Sequence, residues 1–390
     1  MKNPLYSAIM IIILISLFAV SASGKDLKEE KAPKSLSPGL DHLADLISPD
    51  SCEKFDLNKI GEILSFIQSK KSKSTLYFPE KKFDATPLYY EFDIQTDLEH
   101  ILKYSYNPKI PAEALMPASL RSSTWADAEN ENKSPAILWE SLQKLDSPVI
   151  VNGTEHTVIT PDTHTGSYYG YDQDRKLILC EYEGKKLFIS LSKQVSRSEV
   201  GKKGLVLGSD DDWNYFYSGK KGINLPGLGW VSAYMYDSCT IMLYYEVDSK
   251  KPRVRCAVFK WLRAGWSNIN MVKKSHIYDG LVRHENNFKE ILEHPLLPRS
   301  ETLENIFAGF NKQTIDGLRK QTKEYFCYLT SRYKNNKNLI KTRFNKLLTD
   351  ENFLSKMTKK EMTSILSIEY IKSILGKEHK NKDLLTKISK

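Results

Sequence analysis

Cysteine is scarce in this 390-residue chain: five residues, at 52, 180, 239, 256 and 327, odd in number and with no C-x-x-C pair. That excludes a disulfide-stapled scaffold and a thiolate metal cluster. Long apolar runs are also lacking. The longest, Ala8 to Val20, is 13 residues, short of the ~20 that a membrane-spanning helix needs. A charge excess is missing from most of the chain. The formal net charge is +9, yet the last 90 residues alone hold 19 basic and 10 acidic groups, leaving the first 300 balanced at 38 of each. The excess therefore describes a C-terminal region and gives no reason to expect a polyanion partner for the body.

Standard catalytic signatures are absent too. There is no G-x-S-x-G and no Walker loop. His284-Glu285 begins H-E-x-x-H, but Phe288 stands where the second histidine belongs. Asp210, Asp212 and Asn214 copy the first half of a calcium loop. Tyr215 then occupies the glycine position and Lys221 the position of the bidentate glutamate, which excludes an EF-hand. Gly227-Leu-Gly229 lacks the third glycine of a dinucleotide loop.

What is present begins with an export signal. Lys2 precedes the apolar run, and small residues follow it, so cleavage is expected near Ala22 or Gly24. The mature chain is expected to lie in the periplasm or outside the cell, without a transmembrane helix. Residues 25–38 are polar and Lys/Pro-rich and read as a flexible leader.

The organisation that follows indicates an α+β fold. Ile60, Ile63, Leu64 and Ile67 mark one helical face. Ser74–Phe78 and Leu88–Ile94 read as strands, and the proline-bearing stretch from Asn107 to Asn132 as a loop or cover segment. A β-rich core spans about 148–270. Asn152-Gly153 between β-branched runs signals a hairpin, and Gly184 a second one. In a third hairpin, pairing Glu246 with Arg253 sets Cys239 opposite Lys260 and Cys256 opposite Leu243, too far out of register to bridge. A long amphipathic helix, about 272–294, buries Ile277, Leu281, Phe288, Ile291 and Leu292. The expected architecture is an antiparallel sheet of six to nine strands with that helix packed on it, in a helix-grip-like layout. Residues 39–299 then form the body and 300–390 a basic, all-helical extension. The extension's third helix is bounded by the capping box Thr358-x-x-Glu361 and by Gly376.

Three groups of residues carry chemistry. His156, Asp162 and His164 are the catalytic candidates, since Asp162 and His164 share one side of an extended segment and offer an acid–base pair or metal ligands. Asp210 and Asp212 are the candidates for a divalent cation, which is not the favoured cofactor. Between Tyr168 and Trp266 lie 17 of the chain's 42 aromatic residues. Tyr168, Tyr169, Trp213, Tyr217, Tyr234, Tyr236 and Trp261, with Arg263, are the ligand-lining candidates, because Tyr and Trp combine a broad apolar face with a polar tip.

The leading expectation is an exported protein holding a small amphipathic or sugar-like ligand in an aromatic-lined cavity. Two others compete with it: an extracytoplasmic hydrolase using His156, Asp162 and His164, and an envelope adaptor touching anionic surfaces through its basic helices. Nucleic acid is not an expected partner, as no recognition motif is present.

Overall fold

A computed structural model describes residues 27–47, 53–72, 74–126, 134–225, 229–248, 251–342 and 351–379. The apolar run, both expected cleavage sites and Cys52 lie outside them. Among the described residues no helix is long and apolar enough to cross a membrane.

The chain opens with β1 (Lys28–Lys31), α1 (Ser37–Asp45) and α2 (Gly61–Gln68), then β2 (Thr75–Phe78) and β3 (Thr86–Ile94). Next come α3 (Leu98–Ser105), α4 (Ala112–Leu115) and β4 (Leu120–Trp125). The β-rich part holds β5 (Val149–Ile159), β6 (Ser167–Tyr168), β7 (Gly170–Tyr182), β8 (Lys185–Gln194), β9 (Lys202–Val206) and β10 (Tyr215–Lys221). It continues with β11 (Ile223–Leu225), β12 (Gly229–Val231), β13 (Ala233–Asp248), β14 (Arg253–Trp266) and β15 (Ile269–Asn270). The long helix is α5 (Lys274–Leu292); α6 (Ser300–Lys312), α7 (Ile315–Arg332) and α8 (Lys359–Ile374) follow.

The architecture is α+β. Ten strands form one mostly antiparallel sheet in the order β1-β2-β3-β14-β13-β8-β7-β5-β4, with β15 on β14; β1 and β2 pair in parallel. Ten strands exceed the expected six to nine because β1, β4 and β15 carry no hydrophobic alternation. β1 reads Lys-Glu-Glu-Lys inside the supposed loose leader, β4 is serine-rich, and β15 has two residues. Smaller sheets join β10-β9-β6 and β11-β12.

Two turn expectations are revised. Asn152-Gly153 is no hairpin: β5 runs straight through it, pairing Asn152 with Lys176 and Gly153 with Arg175. A Cβ on Gly153 would come within 2.4 Å of the Trp125 ring, so the glycine serves close approach of a ring to a strand. In the β13–β14 hairpin a bulge between Glu246 and Asp248 shifts the register by one, setting Cys239 opposite Trp261 and Cys256 opposite Tyr244. Both cysteines are buried free thiols, as is Cys180. The β7–β8 hairpin forms where Gly184 marks it, with Glu183 and Gly184 both at positive φ.

Both faces of the large sheet are covered. On one, Ile189, Ile241, Leu243, Phe259 and Trp261 pack against Leu40 and Leu43 of α1 and Ile63, Leu64 and Ile67 of α2. On the other, Val151, Leu177, Leu179, Phe188 and Cys256 share one core with Ile101 of α3, Phe288 and Ile291 of α5, Phe307 and Phe310 of α6, and Leu366 and Ile371 of α8. Ile277 and Leu281 of α5 join Leu88 and Val258 in a neighbouring cluster. The basic region after residue 299 thus contributes to the same core as the body. Within it, the buried Lys372 ammonium donates to Asn214 Oδ1 (2.8 Å) and Glu369 Oε1 (2.7 Å), which satisfies a charge that would otherwise be costly to desolvate. α8 is bounded as the sequence indicates, by the Thr358–Glu361 capping box and Gly376 at φ +67°.

Candidate functional site

The second face of the sheet changes character along its length. Near the β7–β8 turn its side chains are apolar: Leu177 and Leu179 on β7, Phe188 on β8. Stepping two residues at a time along the same strands keeps the same face but reaches Arg175 and Gln173 on β7, Ser190 and Ser192 on β8, Thr240 on β13, and Glu155 and Thr157 on β5. Here the face borders a cavity of about 800 Å³ instead of a packed helix.

The opposite wall comes from three places. The segment from Ser105 to Glu113, with Met116, Ser119, Leu120 and Ser123–Trp125, forms one side. His284 and Phe288 of α5 form another, and Asn311 with Lys359, Lys360 and Thr363 of α6 and α8 completes it. Tyr106, Trp125, Tyr171, Tyr244 and Phe288 give the cavity an aromatic lining, and Met242 adds a flexible apolar contact. Tyr106 stands edge-on to Phe188, with ring centres 4.7 Å apart, and its hydroxyl donates to that of Tyr244 at 3.1 Å.

Charges in the wall are tightly held. Glu155, with a side chain only 12% exposed, pairs with Arg175 and accepts from Ser123 Oγ and from Gln173 Nε2 at 2.9 Å. Burial alone would push its carboxyl up, but the Arg175 charge and these hydrogen bonds together hold it below the usual range. Arg175 Nη2 also donates to Ser190 Oγ at 2.9 Å, while its buried Nε has no partner. Glu113 accepts from the Ser123 amide at 3.3 Å, and burial raises its carboxyl.

Two basic groups are depressed. Burial, with a smaller push from Lys260, lowers the His284 imidazole to about 4. Its ring stacks on Phe288 at 5.2 Å, and its Nε2 is buried without a partner. Lys260 itself is lowered to about 8 by burial and donates to Thr240 Oγ1 at 3.0 Å.

The residues singled out from the sequence lie elsewhere. His156 pairs with Asp172 across β5–β7 (2.7 Å). Asp162 caps its own loop, accepting from the amides of His164, Thr165 and Ser167. His164 faces α5, with Nε2 3.3 Å from Asp279 and its ring 4.6 Å from that of His276. The three side chains bond to different partners: Asp172 for His156, loop amides for Asp162 and Asp279 for His164. Asp210 takes a two-pronged contact from Arg283 (2.5 and 2.6 Å) and a hydrogen bond from Tyr215, while the carboxylate of Asp212 accepts from the Ser209 amide. Those carboxylates are occupied by protein donors. Among the described residues no group of three or more His, Cys, Asp or Glu is placed to hold a metal.

The eight ligand candidates divide into packing groups. Tyr168 and Tyr217 meet edge to face at 5.2 Å beside Arg121. Trp261 is buried on the opposite face of the sheet and donates to Glu80 O. Tyr234 and Tyr236 lie 6.1 Å apart, covered by Arg197 and Arg263. Tyr169 packs with Ile223, Ala233 and Met235, and Trp213 joins the main core beneath Lys377. None of the eight lines the cavity.

Its actual lining was signalled by polar residues at core-facing positions: Arg175 and Gln173 lie two and four residues before Leu177, and Ser190 and Ser192 follow Phe188 at the same spacing. Placed beside known proteins, the chain matches no protein-family model, and no curated protein matches its sequence.

Proposed function

We propose that the protein binds a small amphipathic organic molecule in the cavity between its large sheet and the helices of the second face, and that it acts as an exported carrier or sensor. The observation that carries this reading is the change along one sheet face from apolar to polar side chains beneath an unfilled volume. A face built only for stability continues its apolar pattern and is filled by a helix. The volume of about 800 Å³ falls within the ~300–1,000 Å³ of small-molecule sites, and a mostly apolar wall with a few placed polar groups is the usual composition of such sites. In this reading the long helix α5 and the large sheet embrace the ligand in a helix-grip-like manner, with Phe288 and His284 as the helix's contribution.

A neutral fluorescent probe, N-phenyl-1-naphthylamine, tests it. One molecule per chain is expected to bind with enhanced, blue-shifted emission. Ser192→Trp, which fills the cavity from its sheet wall, is expected to abolish the signal while circular dichroism stays unchanged. Equal binding to both proteins would place the probe elsewhere and overturn the reading.

A further inference from the structure

The sign of the charge left free around the cavity identifies the ligand class, an inference that rests on the cavity reading above. The two lining carboxylates are not available to a cation. Glu155 is engaged by Arg175, Ser123 and Gln173. Glu113 is 2% exposed, hydrogen-bonded to the Ser123 amide, and shifted by burial toward its neutral form.

Among the described lysines that line the cavity, Lys359 alone is not held by a protein group. Lys109 is held by Glu304 at 3.3 Å, and Lys360 donates to Ser123 O at 2.8 Å and to Thr124 Oγ1. Both are bound by oxygens outside the cavity's own acids. Lys359 lines the cavity, is exposed, and has no hydrogen-bond or ion-pair partner among the described residues. Arg175 adds a buried Nε–H without an acceptor.

Helix stability does not account for Lys359 and Lys360. They stand in the first turn of α8, where the helix macrodipole is positive and cations are disfavoured. Glu361 in the same turn is already used by the Thr358 cap and by Arg121. Two adjacent ammonium groups at the unfavourable end of a helix, on the rim of an aromatic cavity, fit an anion that arrives with a ligand. We infer that the ligand is an anionic amphiphile, a carboxylate, sulfate or phosphate on an apolar or aromatic body. The body lies against Tyr106, Trp125, Tyr244 and Phe288, and the acid group meets Lys359 and Lys360 at the rim.

A matched pair of probes separates this claim from the cavity itself. N-phenyl-1-naphthylamine is neutral, and 8-anilinonaphthalene-1-sulfonate is the same ring system with one sulfonate. Lys359→Gln is expected to weaken the sulfonate about threefold and Lys359→Glu about tenfold, the range for a partly exposed ion pair and its reversal. Both variants should bind the neutral probe within a factor of two of the wild type. Raising NaCl from 50 to 500 mM should weaken the sulfonate more in the wild type than in the Lys359→Gln protein, which keeps only the Lys360 charge. Unchanged sulfonate binding in Lys359→Glu, or a parallel loss of both probes, overturns the anionic assignment while leaving the cavity reading intact. Failure of the wild type to bind either probe removes the cavity reading instead.

Discussion

The two faces of the large sheet are made by the same strands and read very differently. Toward α1 and α2, strands β8, β13 and β14 present Leu187, Ile189, Ile241, Leu243, Ala257 and Phe259, all essentially inaccessible. Toward the other helices the same strands begin apolar with Phe188 and Cys256 and end polar with Ser190, Ser192, Thr240 and Lys260. One face is filled by two consecutive N-terminal helices. The other is assembled from α3, α5, α6 and α8, drawn from widely separated parts of the chain, and leaves a cavity where they fail to converge. Filling a core is a packing problem that apolar side chains solve locally. Holding a volume open takes a rim of distant elements and a wall that mixes apolar side chains with a few placed polar groups.

Truncation on each face measures that difference. Phe259→Ala removes a fully buried ring from the dry face and is expected to cost about 3–5 kcal/mol. Met242→Ala, on the cavity wall, enlarges a space that already exists and is expected to cost about 1 kcal/mol. Urea unfolding of the two variants provides the comparison. Equal costs would mean that the cavity wall is packed as tightly as the opposite face.

Acid should act through the cavity face. His284 is lowered to about 4 in the folded chain, against an ordinary value near 6.5 when unfolded. Between those values the unfolded chain takes up a proton that the folded chain refuses. Stability is therefore lost as pH falls from about 6.5 toward 4, by up to about 3 kcal/mol. Replacing the imidazole by another ring, His284→Phe, should keep the stack on Phe288 and flatten that part of the pH–stability curve. A variant as acid-sensitive as the wild type would assign the loss to other groups.

The fold is legible in the sequence wherever one element decides its own shape. Thr358 and Glu361 cap α8 through their own side chains, Glu183-Gly184 turns the β7–β8 hairpin, and Ile277, Leu281, Phe288 and Ile291 mark the buried side of α5. Signals that depend on a distant partner are not legible locally. Gly153 resembles a turn until Trp125 is laid across it. The cover segment from Asn107 has no period of its own, yet it supplies Asn107–Ala112 and Trp125 to the cavity. The aromatic count pointed to residues between 168 and 266, but Tyr168, Tyr217, Tyr234 and Tyr236 pack on one another and on arginines, and of the window's rings only Tyr171 and Tyr244 line the cavity. Counting rings finds where aromatics concentrate. Finding a cavity requires asking which polar residues occupy core-facing positions, and Gln173, Arg175, Ser190 and Ser192 answer that from strand alternation alone.

The smallest expected effect is the most discriminating for that criterion. Ser192 lies on the cavity wall, and its hydroxyl has no partner among the described residues. If its polarity served folding, Ser192→Val would leave a defect. If the polarity serves a bound molecule, a β-branched apolar residue suits the strand at least as well, and stability should change by less than about 0.5 kcal/mol or rise slightly. Urea unfolding measures the first quantity, and titration with 8-anilinonaphthalene-1-sulfonate reports the altered wall through a changed affinity and emission maximum. Neutral stability together with altered binding would show that this position of the sheet is polar for the cavity's sake. A clear loss of stability with unaltered binding would return Ser192 to the fold and erase the contrast between the two faces at that point.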